Sequence, residues 1–487
     1  MTIAADLPAM ELGLSPFQAT RVYESLQDKL IPLWHSIRTM DYDEQTFVVI
    51  PSQTIDFDFQ GAEVQGYEER FLFLLLLLRQ PQLRMIYVSS KSILPSTIDY
   101  YLGLIPNVPP SHARARLHLI SPEDGSPRPL TLKILERPNL VENIRCLVKD
   151  PNRAHLIPYN TTELERDLAI HLGIPMYGAD PKFLPYGTKS GCRRLFAEED
   201  VAFPLGCEDL TCIDDTVEAI AKMRRQKPAM NGVVIKLNEG VSGTGNAIAD
   251  LRELPAPGCA DELDALTERV RGMRFEGPAT DYESYTSKFA DNGGIVEELI
   301  RGEEIRSPSV QLRVTPLGDL ELLSTHDQVL GGPSGQLYSG CRFPADSDYA
   351  SLISKEATKV GRRLAAEGVL GRFSVDFVVV RQPHGEWKVY AIEINLRKGG
   401  TTHPFLTLQY LTDGTYDPEK GVFVTPAATK NTTLQAIIFK RHGTEPCDPT
   451  TFLKWWLATA YITISLDKLA WCFTCWRRWL KTGVSVP

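Results

Sequence analysis

The sequence lacks any apolar run long enough to span a membrane as a helix, and it lacks a dense run of Lys and Arg. The apolar segment from Phe71 to Leu78 is ended by Arg79, whereas a helix needs about 20 apolar residues to cross a bilayer. We therefore expect a buried helix at this position. The formal net charge of −9, without a basic stripe, argues against a nucleic-acid partner.

Cysteine is scarce, with nine residues in the chain, and their odd number and scattered positions do not suggest a disulfide framework. The first residues, Met1 to Met10, lack the basic start and apolar core of a signal peptide. The Cys472 and Cys475 pair has no second pair or nearby His, so we expect no zinc site. These features predict a cytoplasmic protein with reduced thiols.

The 487 residues are enough for two to four domains, and the 43% hydrophobic and 23% charged residues are typical of soluble proteins. From about residue 45 to 180, short β-rich runs such as Phe47 to Ile50 and Met85 to Ser89 alternate with helical patterns. This alternation predicts a doubly wound parallel sheet. The turn-rich segment Pro181 to Gly187 predicts a joint to a second domain.

Three oxygen-bearing side chains occur in two neighbouring strand-like runs. Asp376 lies in the apolar run FSVDFVVV, while Glu393 and Asn395 lie two residues apart in AIEIN and therefore on one face. If the two runs form a hairpin, these side chains converge as a set that suits Mg²⁺. The alternative is that the two acids form salt bridges with Arg372 or Arg397.

A glycine-rich turn follows another strand-like run, in VVIKLNEGVSGTGN from Val233 to Asn246. Its glycines allow backbone N–H groups to approach phosphate oxygens, its hydroxyls add donors, and Lys236 adds a positive charge. The glycines and hydroxyls are Gly240, Ser242, Gly243, Thr244 and Gly245. The segment is not a P-loop, and an ordinary hairpin turn is the alternative.

A strand that ends in acids and a glycine turn occurs at IVEELIRGEEI, from Ile295 to Ile305. Such a segment can offer backbone groups to an adenine and a carboxylate to ribose hydroxyls. A solvated acidic strand end is the alternative interpretation.

These features occur together in the order and approximate spacing of the ATP-grasp superfamily. Within it, the chain resembles the ligases with a pre-ATP-grasp domain that are related to the pheganomycin peptide ligase. The resemblance covers roughly residues 40 to 425 and rests on YEERFLFLLLLLR, GTKSGCRRLF, KLNEGVSGTGNA and EINLRKGGTTHPF. It implies an α/β ATP-grasp fold, with two α+β subdomains that clasp ATP, preceded by a Rossmann-like pre-ATP-grasp domain.

The implied boundaries place an N-terminal region with the pre-ATP-grasp α/β domain at 1–185 and an ATP-grasp domain at 186–440. Within the latter, the lid covers about 200–295 and the metal-binding subdomain about 296–440. The Trp-rich tail at 441–487 is assigned no function. A membrane-interface element, a packed helical pair, an oligomer contact and a faulty gene end are all left open for it.

The resemblance also implies a nucleotide site. Lys189 and Lys236 would contact the ATP phosphates, and the segment from Glu239 to Gly245 would form a mobile loop over them. The loop residues assigned to nucleotide binding are Glu239, Gly240, Ser242, Gly243, Thr244 and Gly245.

On the adenosine side, the resemblance implies that Glu297 meets the adenine amino group. The backbone of Glu298 and Ile300 would complete that contact, and Glu304 would hold the ribose.

The same resemblance assigns Mg²⁺, or Mn²⁺, to Asp376, Glu393 and Asn395. Arg397 would bind the transferred phosphoryl group or an acyl phosphate, and Arg372 is a second catalytic candidate.

The implied activity is an ATP-dependent carboxylate–amine ligase. A substrate carboxylate would attack the γ-phosphate to give an acyl phosphate and ADP, and an amine would then displace phosphate. The expected partners are a small-molecule or peptide carboxylate and an amine; a homo-oligomer is left open. The alternatives are an ATP-grasp kinase that phosphorylates a small-molecule hydroxyl and a catalytically silent ATP-binding scaffold.

The acceptor pocket of such ligases is formed by the N-terminal domain and by loops around Ser307 to Gln311 and Gly331 to Tyr338. For the second loop, an exposed glycine-rich turn is the alternative. His403 either lines this pocket or serves only in packing.

Overall fold

The computed structural model of the chain describes residues 13–38, 43–54, 63–240, 243, 245–276, 280–331 and 335–426, and the backbone of three later strands. The α-helices are α1 (Pro16–Gln27), α2 (Leu30–Arg38), α3 (Glu63–Glu69), α4 (Pro95–Gly103), α5 (Pro110–Arg114), α6 (Leu130–Leu135), α7 (Pro138–Leu147), α8 (Glu163–Leu172), α9 (Lys189–Glu198), α10 (Ile213–Gln226), α11 (Glu262–Arg271), α12 (Tyr282–Asn292), α13 (Ser347–Ala366) and α14 (Thr402–Thr412). Three 3-10 helices span Arg70–Arg79, Pro151–Arg153 and Pro181–Gly187.

The strands fall into three larger sheets and one small hairpin. In chain order they are β1 (Gln45–Ile50), β2 (Leu83–Val88), β3 (Leu117–Ile120), β4 (Ala154–Pro158), β5 (Gly206–Leu210), β6 (Gly232–Leu237), β7 (Asn246–Asp250), β8 (Arg274–Phe275), β9 (Gly294–Glu298), β10 (Ile305–Arg306), β11 (Pro308–Val314), β12 (Leu320–Gly331), β13 (Leu337–Phe343), β14 (Gly371–Arg381), β15 (Trp387–Asn395), β16 (Thr415–Asp417), β17 (Val422–Val424), β18 (Thr433–Ile438), β19 (Ala460–Leu466) and β20 (Leu469–Trp471).

The first sheet is parallel, in the order β3-β2-β1-β4, which confirms the predicted doubly wound sheet. Its strands are mostly apolar because both faces are covered. Val48 and Ile50 pack with α1 and α8 on one face, while Phe47 and Val49 pack with the Arg70–Arg79 segment on the other.

The Arg70–Arg79 segment is buried as predicted, but it is a 3-10 helix that follows α3. It is apolar on every side because it lies between two parts of the molecule. The same core contains Met85 of the parallel sheet together with Phe343, Phe405 and Phe423 from the C-terminal half. This shared core ties the N-terminal unit, α1 to α8, to the rest of the chain.

The second sheet is antiparallel, in the order β5-β9-β6-β7-β8. Helices α10, α11 and α12 supply apolar side chains to its core, including Ile220, Leu266 and Phe289. On the opposite face, β6 and β9 carry polar side chains into the site described below, since successive side chains of a strand alternate in direction.

The third sheet has the strand order β10-β14-β11-β12-β13-β18-β19-β20. Strand β15 lies outside this order and pairs with β14 along part of that strand. Helix α13 buries Tyr349, Ile353 and Val360 against this sheet. Strands β19 and β20 come from the Trp-rich tail, so a helical pair is wrong for these two segments; the other tail residues lie outside the described part of the chain. Among the described residues, no helix combines the length and the apolar character that a membrane span requires.

We predict that Leu75→Ala lowers the melting temperature far more than Leu77→Ala. The Leu75 side chain is fully buried in the shared core, and removal of a buried leucine costs about 2–5 kcal/mol. Leu77 belongs to the same segment and is only partly buried, which makes it a matched control. Thermal unfolding of both variants measures the difference; equal losses would contradict the role assigned to the shared core.

Candidate nucleotide and metal site

A cavity of about 600 Å³ lies where the three sheets meet. Tyr159, just after β4, contributes from the carboxyl edge of the parallel sheet, Lys236 from the second sheet and Asp376 from the third. Ligands of open α/β sheets bind at this edge, and the volume lies within the usual range for small-molecule sites.

Two carboxylates face each other at the centre of the cavity. Strands β14 and β15 pair so that Asp376 is opposite Glu393, with a bulge directly after Asp376. The Asn395 Nδ2 donates to Glu393 Oε1 at 2.8 Å and to Asp376 Oδ2 at 3.3 Å. Ser309 Oγ donates to Asp376 Oδ1 at 2.6 Å, and the Lys189 ammonium forms an ion pair with Glu393.

The environment affects the two acids in opposite directions. Burial raises the pKa of Asp376 to about 6, and the charge of Glu393 acts in the same direction. Burial also acts to raise the pKa of Glu393, but the Lys189 ammonium outweighs it and lowers that pKa to about 2. Because one lysine faces two carboxylates, full ionisation of the pair calls for further positive charge.

The oxygen atoms of these side chains suit a hard divalent cation such as Mg²⁺. Asp376 and Glu393 offer carboxylate oxygens, which Mg²⁺ prefers. The Asn395 amide donates its Nδ2 to both acids, so it would offer its oxygen to a cation only after the side-chain amide rotates. Within the described ranges, no three His, Cys, Asp or Glu side chains group in a metal-binding arrangement. The protein therefore offers only part of a coordination shell, as in sites where waters and substrate phosphates complete it. Neither acid pairs with Arg372 or Arg397 among the described residues.

Lys189 is placed by the start of α9. The helix is capped by Thr188, whose Oγ1 accepts from the Gly191 N–H at 3.0 Å. The Lys189 N–H donates to the Asn238 carbonyl at 3.2 Å, and the Ser190 N–H donates to Asn238 Oδ1 at 3.1 Å. These bonds hold the helix start against the end of β6 and direct Lys189 to Glu393.

A buried ion pair lies on the side of the cavity that the second sheet forms. Lys236 on β6 pairs with Glu297 on the neighbouring β9, and the two residues are only 4% and 3% exposed. Arg193 Nη1 lies 3.5 Å from the other Glu297 oxygen and donates to the Pro204 carbonyl at 3.0 Å. Both charges of the Lys236–Glu297 pair line the cavity, so they are in place to meet a polar ligand.

The glycine-rich turn closes one wall. Gly240 and Gly243 line the cavity, and Gly243 has a φ of +83°, which favours glycine. A Cβ there would lie 2.5 Å from the Gln336 carbonyl oxygen. Asn246 Nδ2 donates to Gln336 Oε1 at 3.3 Å, so the turn touches the segment that precedes β13. Ser242 and Thr244 lie outside the described residues.

Other predicted nucleotide residues differ in position. Glu298 and Ile300 line the cavity; the Glu298 carboxylate accepts from Lys227 at 2.5 Å. Glu239 is exposed and Glu304 forms ion pairs at the edge of the third sheet, with Arg306 and Arg381. Neither Glu239 nor Glu304 belongs to the cavity lining, whereas Gly245 packs against Gly240 behind it.

The two predicted catalytic arginines are separated. Arg397 lines the cavity, and its Nη1 donates to the Lys398 carbonyl at 3.4 Å. Arg372 is not among the lining residues; burial and the charge of Arg313 lower its pKa to about 10. The structure thus brings Arg397, and not Arg372, to the carboxylate pair.

Sequence reasoning assigned no role to Tyr67, Arg70 or Tyr159, although all three line the cavity. Tyr159 had a usable signal, since it follows the carboxyl end of a predicted parallel strand. Tyr67 and Arg70 lie in YEERFLFLLLLLR, but chain spacing alone does not reveal that this end of the segment faces the site.

A sequence profile described as IQCH-like, ATP-grasp matches residues 183–269 and 259–419. The L-propargylglycine–L-glutamate ligase of Streptantibioticus cattleyicolor is 32% identical over 345 residues, which cover 69% of this chain and 67% of that protein. IQ motif-containing protein H of Danio rerio is 24% identical over 408 residues, or 75% of this chain, but the match spans only 38% of that longer protein.

Among solved structures, the biotin carboxylase of Campylobacter jejuni in its β-γ-ATP complex superimposes with a TM-score of 0.50 at 12% identity, covering 87% of this chain and 93% of that one. This likeness confirms the ATP-grasp fold. The sequence relationship confirms the resemblance on which the expected ligase activity rested. The chain therefore belongs to the ATP-grasp family and, within it, to the ATP-dependent ligases that form a C–N bond.

Proposed function

We propose that this ligase joins an amino-acid or peptide carboxylate to the amine of a second substrate through an acyl phosphate, with ATP bound in the central cavity. The observation that carries the proposal is the Asp376–Glu393 pair, held open to the cavity beside Lys189. The related ligase of Streptantibioticus cattleyicolor is named for two amino acids, which supports amino acids as the first substrates to test.

The triphosphate would lie between the glycine-rich turn and the carboxylate pair. Lys236 and the backbone N–H groups near Gly240 and Gly243 would bind its oxygens, since each lines the cavity. Lys189 and Arg397 would offset the charge that develops on the transferred phosphoryl group. Mg²⁺ held by Asp376, Glu393 and Asn395 would supply Lewis-acid neutralisation of the phosphates.

The proposed chemistry has two steps. An oxygen of the donor carboxylate attacks the γ-phosphorus, and the bond to ADP breaks. The acceptor nitrogen then attacks the acyl carbon, phosphate leaves, and the amine proton passes to phosphate or solvent. No enzyme nucleophile takes part, so binding and positioning by these residues supply the rate enhancement.

On the adenosine side, we propose that the adenine contacts Glu297 and the backbone of Glu298 and Ile300, which line the cavity. Glu304 would reach the ribose only after release from its ion pairs with Arg306 and Arg381. The proposed setting remains the cytoplasm, because all the described cysteines are free thiols.

We predict that the wild type, given Mg²⁺-ATP, single L-amino acids and hydroxylamine, forms ADP and the amino-acid hydroxamate. Asp376→Asn should lower hydroxamate formation at least about a hundredfold, because it removes one charge of the carboxylate pair. Mass spectrometry measures both products, and circular dichroism checks that the variant is folded. ADP with a phosphorylated alcohol and no hydroxamate would instead support a kinase.

We predict that Gly243→Ala lowers kcat/KM for ATP about tenfold or more, since its Cβ would press on the Gln336 carbonyl at 2.5 Å and displace the turn. Gly258→Ala is the matched control. It has a similar φ, +88° against +83°, but nothing within 4 Å of the added Cβ. Both variants bear the backbone strain of a left-handed residue; steady-state kinetics should separate them, and equal kcat/KM values would exclude this role of the turn.

A further inference from the structure

The end of the cavity next to the N-terminal unit has a positively charged group that the steps above do not use. Arg70, the first residue of the Arg70–Arg79 segment, lines the cavity. Its guanidinium carbon lies 3.9 Å from the centroid of the Tyr67 ring, which also lines the cavity. Stacking on an aromatic face fixes the orientation of a guanidinium and leaves its N–H edge free to donate.

Within the described part of the chain, no carboxylate is paired with Arg70. The two acids that precede it are directed elsewhere: Glu68 accepts from Ser90 at 2.6 and 2.7 Å, and Glu69 accepts from Gln65 at 2.8 Å. At the other end of the same segment, Arg79 pairs with Asp413 at 2.5 Å. Arg70 is thus a cation that lines a ligand cavity without an anionic partner among the described residues.

A second polar group points to the same ligand chemistry. Thr401 is 4% exposed, lines the cavity, and its Oγ1 has no hydrogen-bond partner among the described residues. It occupies the N-cap position of α14, a helix of 11 residues. Gly399 and Gly400, which precede it, also line the cavity. The N-terminus of a helix favours an anion.

These groups line the same cavity as the carboxylate pair, and the charge of Arg70 acts on the start of α14. Burial lowers the pKa of His403, the second residue of α14, to about 3, and Arg70 acts in the same direction. A Cβ on Gly400 would lie 2.7 Å from the Tyr338 ring. Burial raises the pKa of Tyr338, and both Arg70 and Asp376 influence it. Tyr338, which also lines the cavity, is thus within reach of the charges of both Arg70 and Asp376.

We propose that Arg70, Thr401 and the N-terminus of α14 form a carboxylate-binding subsite that holds the α-carboxylate of the amine acceptor. The proposal rests on the proposed function and specifies the acceptor as an amino acid or a peptide with a free α-carboxylate. During ligation the acceptor amine forms the new C–N bond, while its own carboxylate is unchanged from start to finish.

The chemistry of the two substrates favours the acceptor, rather than the donor, as the ligand of this subsite. The carboxylate that is activated becomes an acyl phosphate, so it cannot keep the same bidentate carboxylate contact with an arginine through the reaction. An acceptor carboxylate persists in the product and can stay bound throughout. In an α-amino acid the amine and the carboxylate share one carbon, so an anchored carboxylate directs the amine across Tyr338 toward the acyl carbon.

The test compares each acceptor with its carboxamide: L-alanine with L-alaninamide, and L-glutamate with L-isoglutamine. For the wild type we expect kcat/KM to favour the acids by about tenfold or more, as a charge-assisted, bidentate contact does. Arg70→Ala should remove most of this preference by lowering kcat/KM for the acids alone. Arg70→Lys, which keeps the charge but not the fork of donors, should restore part of it.

Hydroxamate formation separates this subsite from the ligase chemistry, because hydroxylamine carries no carboxylate. Arg70→Ala should lower hydroxamate formation far less than it lowers kcat/KM for the acid acceptors. Arg145→Ala is the control, since Arg145 is exposed on α7 and its ion-pair partner among the described residues is Glu142. Its acid-to-amide preference should equal that of the wild type.

Three results would overturn the subsite. The first is that the wild type couples acids no faster than amides, and the second is that Arg70→Ala slows acids and amides equally. The third is that Arg70→Ala slows hydroxamate formation from a dicarboxylic donor as much as it slows acid coupling, which would show that Arg70 binds the donor instead. A wild type that forms no hydroxamate with any amino acid would reject the proposed function and this subsite together.

Discussion

The structure depends on one electrostatic constraint: two half-buried carboxylates lie side by side on β14 and β15, and only one of them has a lysine as its ion-pair partner. Asp376 and Glu393 are opposite each other in the strand register, and Lys189 pairs with only one of them. Such an arrangement is costly in a protein interior unless more positive charge arrives. Such a cost is typical of a site that a ligand completes, and the ligand that we propose is a cation together with a nucleotide.

The rest of the fold serves to bring other groups to this pair. The second sheet supplies Lys236 and the glycine-rich turn, α9 supplies Lys189, and the N-terminal unit supplies Tyr67 and Arg70. The shared apolar core, in which the Arg70–Arg79 segment packs against Phe343 and Phe405, fixes the N-terminal unit beside the cavity. The Arg70–Arg79 segment thus has two roles, since its apolar side chains pack in the shared core and its first residue, Arg70, lines the cavity.

Much of the site could be predicted because it depends on local order along the chain. Alternation in two neighbouring strands placed Asp376, Glu393 and Asn395 on one face, and the short turn between the strands made their pairing antiparallel. The ion pair of Lys189 with Glu393 could not be read in this way, because 204 positions separate the two residues and the contact depends on where α9 meets β6. The same holds for Arg70, which follows two acids in the chain but stacks on the Tyr67 ring and lines the cavity.

The most direct test of the carboxylate pair is Mn²⁺ binding, followed by electron paramagnetic resonance in the presence of ADP. Mn²⁺ takes oxygen ligands in the same way as Mg²⁺. The account predicts that the wild type binds Mn²⁺ in a complex with ADP, and that Asp376→Asn and Glu393→Gln each weaken this binding at least about tenfold while they remain folded. Unchanged Mn²⁺ affinity in both folded variants would contradict it.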